Sequence, residues 1–125
     1  MAGAISILIC DDEPNLRELM RVSLDAGYEF HEAADGAEAI ELVDRLRPDI
    51  VLLDVMMPGL SGLDVLEHIR GQPERATTPV IMISAFSSAA DRAAAAGRGA
   101  TAFLGKPFDP DELSALVEQL LASRV

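Results

Sequence analysis

Aromatic residues and disulfide-forming cysteines are nearly absent from this chain of 125 residues. It has no tryptophan, one tyrosine, four phenylalanines and one cysteine, whereas half of its residues are hydrophobic. The core must therefore be mainly aliphatic, no internal disulfide can form, and the length suits one domain over residues 1–125. The sequence shows no basic leader before an apolar segment and no run long enough to cross a bilayer. It therefore predicts a cytoplasmic protein without a membrane contact.

Basic side chains are also scarce. Ten Lys and Arg residues stand against 21 Asp and Glu residues, which gives a formal net charge of −11. This acidity argues against a nucleic-acid surface and favours a bound cation or a basic partner. Lys106 is the single lysine beside nine arginines. A compact ammonium kept at one position indicates a site that needs a point charge and not a planar guanidinium.

Apolar runs alternate with segments of helical periodicity along the whole chain. The runs predict five strands, at residues 5–10, 28–33, 50–53, 80–83 and 101–104. A helix-start signal follows each strand: Pro14, Asp35 with Glu38, Ser61 with Asp64, Ser87 or Ser88, and Asp109 with Pro110. The first helix is predicted to end at Gly27 and to bury Leu16, Leu19, Met20 and Leu24. Five strand–helix units predict an α/β fold whose parallel sheet carries helices on both faces.

Polar side chains follow four of the predicted strands. Asp11 and Asp12 follow the first strand, Asp54 the third, Ser84 the fourth and Lys106 the fifth. Ligands of open α/β sheets bind outside the carboxyl ends of the strands, so these side chains are expected to share one site. Three carboxylates there would repel one another. Mg²⁺, which prefers oxygen ligands, would relieve that repulsion.

This set of side chains suits phosphoryl transfer, because a carboxylate held beside Mg²⁺ can act as a nucleophile on phosphorus. Asp54 would be the nucleophile, and Asp11 and Asp12 would hold the metal. Lys106 and Ser84 would contact the phosphoryl oxygens. Zinc is not indicated, because both histidines of the chain lie in segments away from the strand ends.

Four motifs at these positions give the chain a resemblance to a known family. They are the run ILICDDEP at residues 7–14, Asp54 with the following Met-Pro-Gly turn at 57–59, Ser84 with Ala85, and the run FLGKPF at residues 103–108. Together they resemble the receiver domain of two-component response regulators, of the chemotaxis-regulator-like kind, over essentially the whole chain. The resemblance implies a flavodoxin-like (βα)5 fold with strand order 2-1-3-4-5.

The resemblance also implies roles for the site residues. Asp54 would accept a phosphoryl group from the phosphohistidine of a sensor histidine kinase or phosphotransfer protein. Asp12, Asp54 and the backbone carbonyl of Met56 would bind Mg²⁺ directly, and Asp11 would act through water. The peptide bond between Lys106 and Pro107 would be cis. Such a domain transfers the phosphoryl group to itself and loses it slowly, and it is not an enzyme in the ordinary sense.

A conformational switch follows from the same resemblance. Ser84 would move toward the new phosphate and Phe103 would turn inward, which changes the surface of helix four, strand five and helix five. That surface would control a downstream protein or output domain, with no direct contact to nucleic acid. A phosphorylation-dependent homodimer is left open. Serine replaces the commoner threonine at position 84, and phenylalanine replaces the commoner tyrosine at position 103, so any partner contact through a hydroxyl at 103 is lost.

Two other functions compete with this interpretation. A phosphatase of the haloacid dehalogenase type also uses an aspartate, Mg²⁺ and a lysine, but it needs an Asp-x-Asp run after the first strand. Here the two acids are adjacent, and the best nucleophile follows the third strand. A flavodoxin-like cofactor binder needs a Ser/Thr/Gly-rich loop after the first strand, whereas an acidic loop repels a flavin phosphate. Multiple-turnover hydrolysis of a phosphate ester would favour the phosphatase, and a yellow chromophore would favour the flavin binder.

Overall fold

Five strands alternate with five helices in the computed structural model, which describes residues 4–24 and 27–123. The strands are β1 (Ser6–Cys10), β2 (Glu29–Ala33), β3 (Ile50–Asp54), β4 (Val80–Ser84) and β5 (Ala102–Gly105). The helices are α1 (Pro14–Ser23), α2 (Gly36–Leu46), α3 (Gly62–Arg70), α4 (Ala89–Gly97) and α5 (Pro110–Ser123), and a 3₁₀ turn covers Pro73–Arg75. The predicted succession of five strand–helix units is confirmed.

The strands form one parallel sheet in the order β2-β1-β3-β4-β5, as expected for a flavodoxin-like fold. Side chains of a strand alternate between the two faces of its sheet. Leu8 and Cys10 of β1 therefore face the core formed with α2, α3 and α4, whereas Ile7 and Ile9 face the core formed with α1 and α5. Every residue of β3 and β4 is buried, which is why residues 50–53 and 80–83 form continuous apolar runs before the polar residue that ends each strand.

The first helix is shorter than predicted. α1 ends at Ser23 and not at Gly27, because Leu24 already adopts an extended backbone with φ −106° and ψ 165°. Met20 is completely buried, but Leu19 is 38% exposed, so the prediction that Leu19 is buried was wrong. Neighbouring residues of an α-helix stand about 100° apart around its axis. Met20 points into the core, and Leu19 is consequently turned toward the surface.

Side-chain caps fix the loops at the carboxyl edge of the sheet. Asp35 accepts a hydrogen bond from the Glu38 amide at 2.8 Å and begins α2, and Ser61 forms a capping box at the start of α3. Of the two serines predicted to begin α4, Ser88 is the cap, and Ser87 lies in the preceding loop. Among residues 4–24 and 27–123, no helix is long and apolar enough to cross a membrane.

Candidate functional site

The carboxyl ends of three strands bring two acids and the single lysine of the chain into contact. The Lys106 Nζ, just after β5, lies 2.9 Å from Asp11 Oδ2 and 3.2 Å from Asp54 Oδ2. Asp11 directly follows β1, and Asp54 is the last residue of β3. The structure thus confirms that the polar residues predicted at these strand ends meet at one edge of the sheet.

Asp11, Asp12 and Asp54 form a cluster with the donor chemistry of a magnesium site. One carboxylate oxygen from each residue lies within 4.8 Å of the others. Asp11 is completely buried, Asp54 is 2% exposed, and Asp12 is exposed to solvent. Three oxygen ligands with one open side suit a hard divalent cation that keeps several of its waters, which is how proteins hold Mg²⁺. These residues therefore fit the ion that the sequence predicts.

Backbone amides hold the two buried carboxylates in place. The Glu13 amide donates to Asp11 Oδ1 at 2.9 Å, and the Met56 amide donates to Asp54 Oδ1 at 3.2 Å. The Asp11 amide in turn donates to the Ala33 carbonyl at 3.0 Å, which extends the pairing of β1 with β2 by one residue. Each buried acid is thus fixed by its own loop as well as by Lys106. The predicted role of Met56 concerns its carbonyl, which stays a prediction, whereas the structure shows its amide bound to Asp54.

Burial and neighbouring charges set the electrostatics of the site. Burial and the nearby Asp11 carboxylate raise the pKa of Asp54, against the opposing effects of Lys106 and the Met56 amide. Burial acts to lower the pKa of Lys106, but its hydrogen bonds and ion pairs with Asp11 and Asp54 outweigh burial and raise it. The lysine is therefore a fixed cation at neutral pH. Asp54 is a carboxylate whose negative charge is only partly compensated, so an added cation would stabilise it.

The two predicted switch residues lie on the neighbouring strands. Ser84 is completely buried at the end of β4, and its Oγ accepts a hydrogen bond from the Phe86 amide at 3.0 Å. Its carbonyl accepts a hydrogen bond from the Lys106 amide at 2.8 Å, so Ser84 is joined directly to the loop of the lysine. Phe103 of β5 is half-buried, and the Arg92 guanidinium of α4 lies 4.9 Å from its ring centroid.

Other predictions concern residues beside or outside the cluster. The peptide bond between Lys106 and Pro107 is cis, as the resemblance implies. His31 pairs with Glu29 on β2, and His68 of α3 pairs with Asp44 of α2. Neither histidine belongs to the group of metal-ligating side chains found in the described part of the chain.

One side chain at the site escaped the sequence analysis. Arg17 of α1 donates from Nη1 to the carbonyl oxygen of Asp11 at 2.7 Å and from Nε to Glu32 Oε1 of β2 at 2.8 Å. The only sequence signal was its place between Leu16 and Met20, two members of the predicted buried stripe. A helix residue next to the buried stripe lies at the edge of the buried face, so the Arg17 side chain can reach the sheet.

The comparison with protein families identifies the class of this domain. The model of the response regulator receiver domain matches residues 7–118, and the chain belongs to that family. Response regulator Rre1 of Synechocystis sp. is 39% identical over 124 residues, which cover 98% of this chain and 54% of that protein. Response regulator MprA of Mycobacterium tuberculosis is 40% identical over 119 residues, which cover 94% of this chain and 51% of that protein. The chain spans about half the length of these curated relatives.

Solved structures agree with this assignment. The chemotaxis response regulator CheY4 of Vibrio cholerae is 32% identical with a TM-score of 0.87, covering 95% of this chain and 99% of that one. The receiver domain of the Francisella response regulator 1452 is 30% identical with a TM-score of 0.86, covering 94% of this chain and 96% of that one. The chain is therefore a receiver domain of two-component signalling, whose general role is phosphorylation-controlled signal transduction.

Proposed function

We propose that Asp54 is the phosphoryl acceptor and that the phosphohistidine of a histidine kinase or phosphotransfer protein is the donor. The observation that carries this proposal is the position of Asp54. Its carboxylate is buried beside the only lysine of the chain and within 4.8 Å of the Asp11 and Asp12 carboxylates. An Asp54 oxygen would attack phosphorus while the bond between phosphorus and the imidazole nitrogen breaks. The electron pair of that bond leaves with the imidazole.

The neighbouring residues would share the charge of the transferred group. Asp11 and Asp12 would hold Mg²⁺ with Asp54, and the Met56 carbonyl would complete the ligand set. When bound, Mg²⁺ offsets the negative charge on the phosphoryl oxygens. Lys106 would exchange its contact with Asp54 for one with a phosphoryl oxygen, and the Ser84 hydroxyl would donate to another.

Phosphorylation would be read out through α4, β5 and α5. When Ser84 moves toward the phosphate, it alters the loop that leads to α4, and Phe103 turns inward beneath Arg92. The partner would be a downstream protein or an output domain. One relative, 37% identical, is named a DNA-binding dual master transcriptional regulator, and the match covers 48% of it. For this acidic domain we propose contact with protein and not with nucleic acid, and a phosphorylation-dependent homodimer as one form that this contact takes.

The surface beside Lys106 offers a place for the donor protein to dock. A recess of about 330 Å³ opens there, lined by Leu16, Leu19, Ala85, Lys106, Pro107 and Phe108. Its lining is almost entirely apolar except for the lysine, and Leu19 at its rim is exposed. A protein that brings a phosphohistidine to Asp54 could bury apolar side chains in this recess, so the position of the recess supports a macromolecular donor.

The competing phosphatase interpretation would place its nucleophile after β1. That type needs an Asp-x-Asp run there, whereas Asp11 and Asp12 are adjacent and the acid beside Lys106 on the central sheet is Asp54 of β3. The loop after β1 is also acidic, which disfavours a flavin phosphate. We therefore propose limited self-phosphorylation and slow loss of the phosphoryl group, without enzymatic turnover of a separate substrate.

Intact-mass measurement after incubation with Mg²⁺ and acetyl phosphate tests the proposal. The native chain should gain one phosphoryl group, and Asp54→Ala should gain none. Asp109→Ala is a matched control, since Asp109 is an exposed acid at the start of α5, and it should be modified like the native chain. Omission of Mg²⁺ should abolish the adduct. If the native chain gains no mass and also forms no stable beryllofluoride complex, Asp54 is not an acceptor.

A further inference from the structure

Arg17 contacts the backbone of the acid cluster from the side of α1. Its Nη1 donates to the Asp11 carbonyl at 2.7 Å and its Nε donates to Glu32 Oε1 at 2.8 Å, so two edges of one planar guanidinium are engaged. The Arg17 side chain is only 16% exposed, and that of Glu32 is 33% exposed. A charge-assisted bond this short and this sheltered from solvent constrains the group that accepts it.

The accepting group is the peptide that joins the first two acids of the cluster. The Asp11 carbonyl and the Asp12 N–H belong to one planar peptide unit, so a hydrogen bond to the carbonyl also fixes the orientation of the Asp12 N–H and the position of the Asp12 Cα. Within residues 4–24 and 27–123, the structure gives the Asp12 side chain no hydrogen bond and no ion pair of its own. The placement of the Asp12 carboxylate therefore depends on its backbone.

We propose that Arg17 is a positioning residue of the metal site. It holds the peptide between Asp11 and Asp12 so that the Asp12 carboxylate is presented beside those of Asp11 and Asp54. This inference rests on the proposed function, because it takes the acid cluster as the Mg²⁺ site. It predicts that Arg17 favours cation binding although it carries a positive charge.

Simple electrostatics predicts the opposite sign. Arg17 is a cation bonded to the backbone of the acid cluster, and removal of its positive charge should strengthen the attraction of the site for Mg²⁺. A substitution of Arg21 tests the effect of charge separately from the effect of the contact with Asp11. It lies one helical turn further along α1 and is ion-paired with the other oxygen of Glu32, whereas no contact of its side chain with Asp11 is found in the described part of the chain. Arg21→Ala therefore removes one positive charge and one ion pair with Glu32, as Arg17→Ala does, but it leaves the contact with Asp11 intact.

The experiment compares Mg²⁺ affinity of the native chain, Arg17→Ala, Arg17→Lys and Arg21→Ala by titration of backbone amide resonances. Loss of groups that orient metal ligands typically weakens binding 10- to 100-fold. We expect both Arg17 variants to bind Mg²⁺ about tenfold more weakly, because one ammonium cannot replace two edges of a guanidinium. Arg21→Ala should bind as tightly as the native chain or more tightly. Thermal unfolding identifies any variant that does not fold, and Arg17→Lys then decides the question.

A second measurement needs no metal. The Glu13 amide donates to Asp11 Oδ1, so loosening of this loop should speed hydrogen exchange at Glu13 in both Arg17 variants and leave it unchanged in Arg21→Ala. If the native chain itself does not bind Mg²⁺, the proposed function fails. If the native chain binds and the Arg17 variants bind equally or more tightly, the positioning role is wrong. Equal weakening by Arg17→Ala and Arg21→Ala also overturns it, since the effect would then come from their shared pairing with Glu32.

Discussion

Gly62, the first residue of α3, packs directly against the backbone of the proposed acceptor residue. A Cβ added at Gly62 would lie 2.1 Å from the carbonyl oxygen of Asp54, 2.8 Å from its carbonyl carbon and 2.9 Å from the Val55 Cα. All three are backbone atoms at the end of a buried strand, so no flexible side chain can move aside. The Gly62 amide also donates to the Val55 carbonyl at 2.8 Å, which holds the helix close. We expect Gly62→Ala to displace α3 from the end of β3 and to disturb Asp54.

The size of the effect can be estimated from two opposing contributions. Overpacking costs typically 1–3 kcal/mol, and contact with rigid backbone places this site at about 3 kcal/mol. Alanine in a helix recovers at most about 1 kcal/mol relative to glycine. The net loss in the free energy of unfolding is therefore about 2 kcal/mol, and the Tm of a domain of this length should fall by roughly 6–10 °C.

Gly97 at the end of α4 provides the matched control, because a Cβ added there would meet no atom within 4 Å. Gly97→Ala should raise stability by about 0.5 kcal/mol through helix propensity alone. Urea and thermal unfolding followed by circular dichroism measure both variants, and initial rates of Asp54 phosphorylation should fall only in Gly62→Ala. A Tm of Gly62→Ala within about 2 °C of the native value would contradict the reasoning, because the overpacking cost would then be absent.

Three further predictions concern the buried Cys10, the proposed acceptor Asp54, and Arg70, which joins α3 to two loops. The Cys10 thiol is completely buried, and burial raises its pKa, so it should resist iodoacetamide in the native state and react only on unfolding in urea; rapid native labelling would contradict this. Burial raises the pKa of Asp54 in the folded protein, so the negative charge of Asp54 destabilises the metal-free fold at pH values above that pKa. Below about pH 4 the carboxyl is protonated in the folded and in the unfolded state, and this destabilisation is absent. Asp54→Asn should therefore be more stable than the native chain at pH 7, with the gain fading as the pH falls, and equal urea midpoints at pH 7 would refute it. Arg70 donates to the Gly99 carbonyl at 2.8 Å and the Thr78 carbonyl at 2.7 Å, so Arg70→Ala should cost about 3 kcal/mol in urea unfolding, and a loss below about 1 kcal/mol would show that these bonds contribute little.

The alternation of apolar runs predicted the order of strands and helices, because burial of the strands and local capping of the helices both leave a direct mark on the sequence. β3 and β4 are covered on both faces, so their residues 50–53 and 80–83 are all apolar, and the helix starts carry capping side chains that act locally. The end of α1 was predicted less well. Gly27 is a common type of helix end, but the backbone already becomes extended at Leu24, a change that tertiary packing imposes and residue type does not indicate.

The members of the candidate site were predictable to different degrees. Asp11, Asp54 and Lys106 follow strands, and the geometry of a parallel sheet brings strand ends together whatever the details of packing. The role of Arg17 could not be read in the same way, because its bond to the Asp11 carbonyl depends on the rotamer of a long side chain and on how α1 lies against β2. The contact of Gly62 with the Asp54 backbone also requires the tertiary structure. From the sequence, Gly62 is only a helix-start residue after Ser61.

The charges of the site would account for both the single lysine and the proposed need for Mg²⁺. Asp11, Asp12 and Asp54 with Lys106 leave two uncompensated negative charges, which one divalent cation would balance. A phosphoryl group on Asp54 replaces one carboxylate charge with about −1.5 to −2. Without the cation, that change would leave nearly three excess negative charges around two buried residues. We therefore expect phosphorylation to raise the affinity for Mg²⁺ and chelation of Mg²⁺ to prevent phosphorylation, because the two additions stabilise each other through the same oxygens.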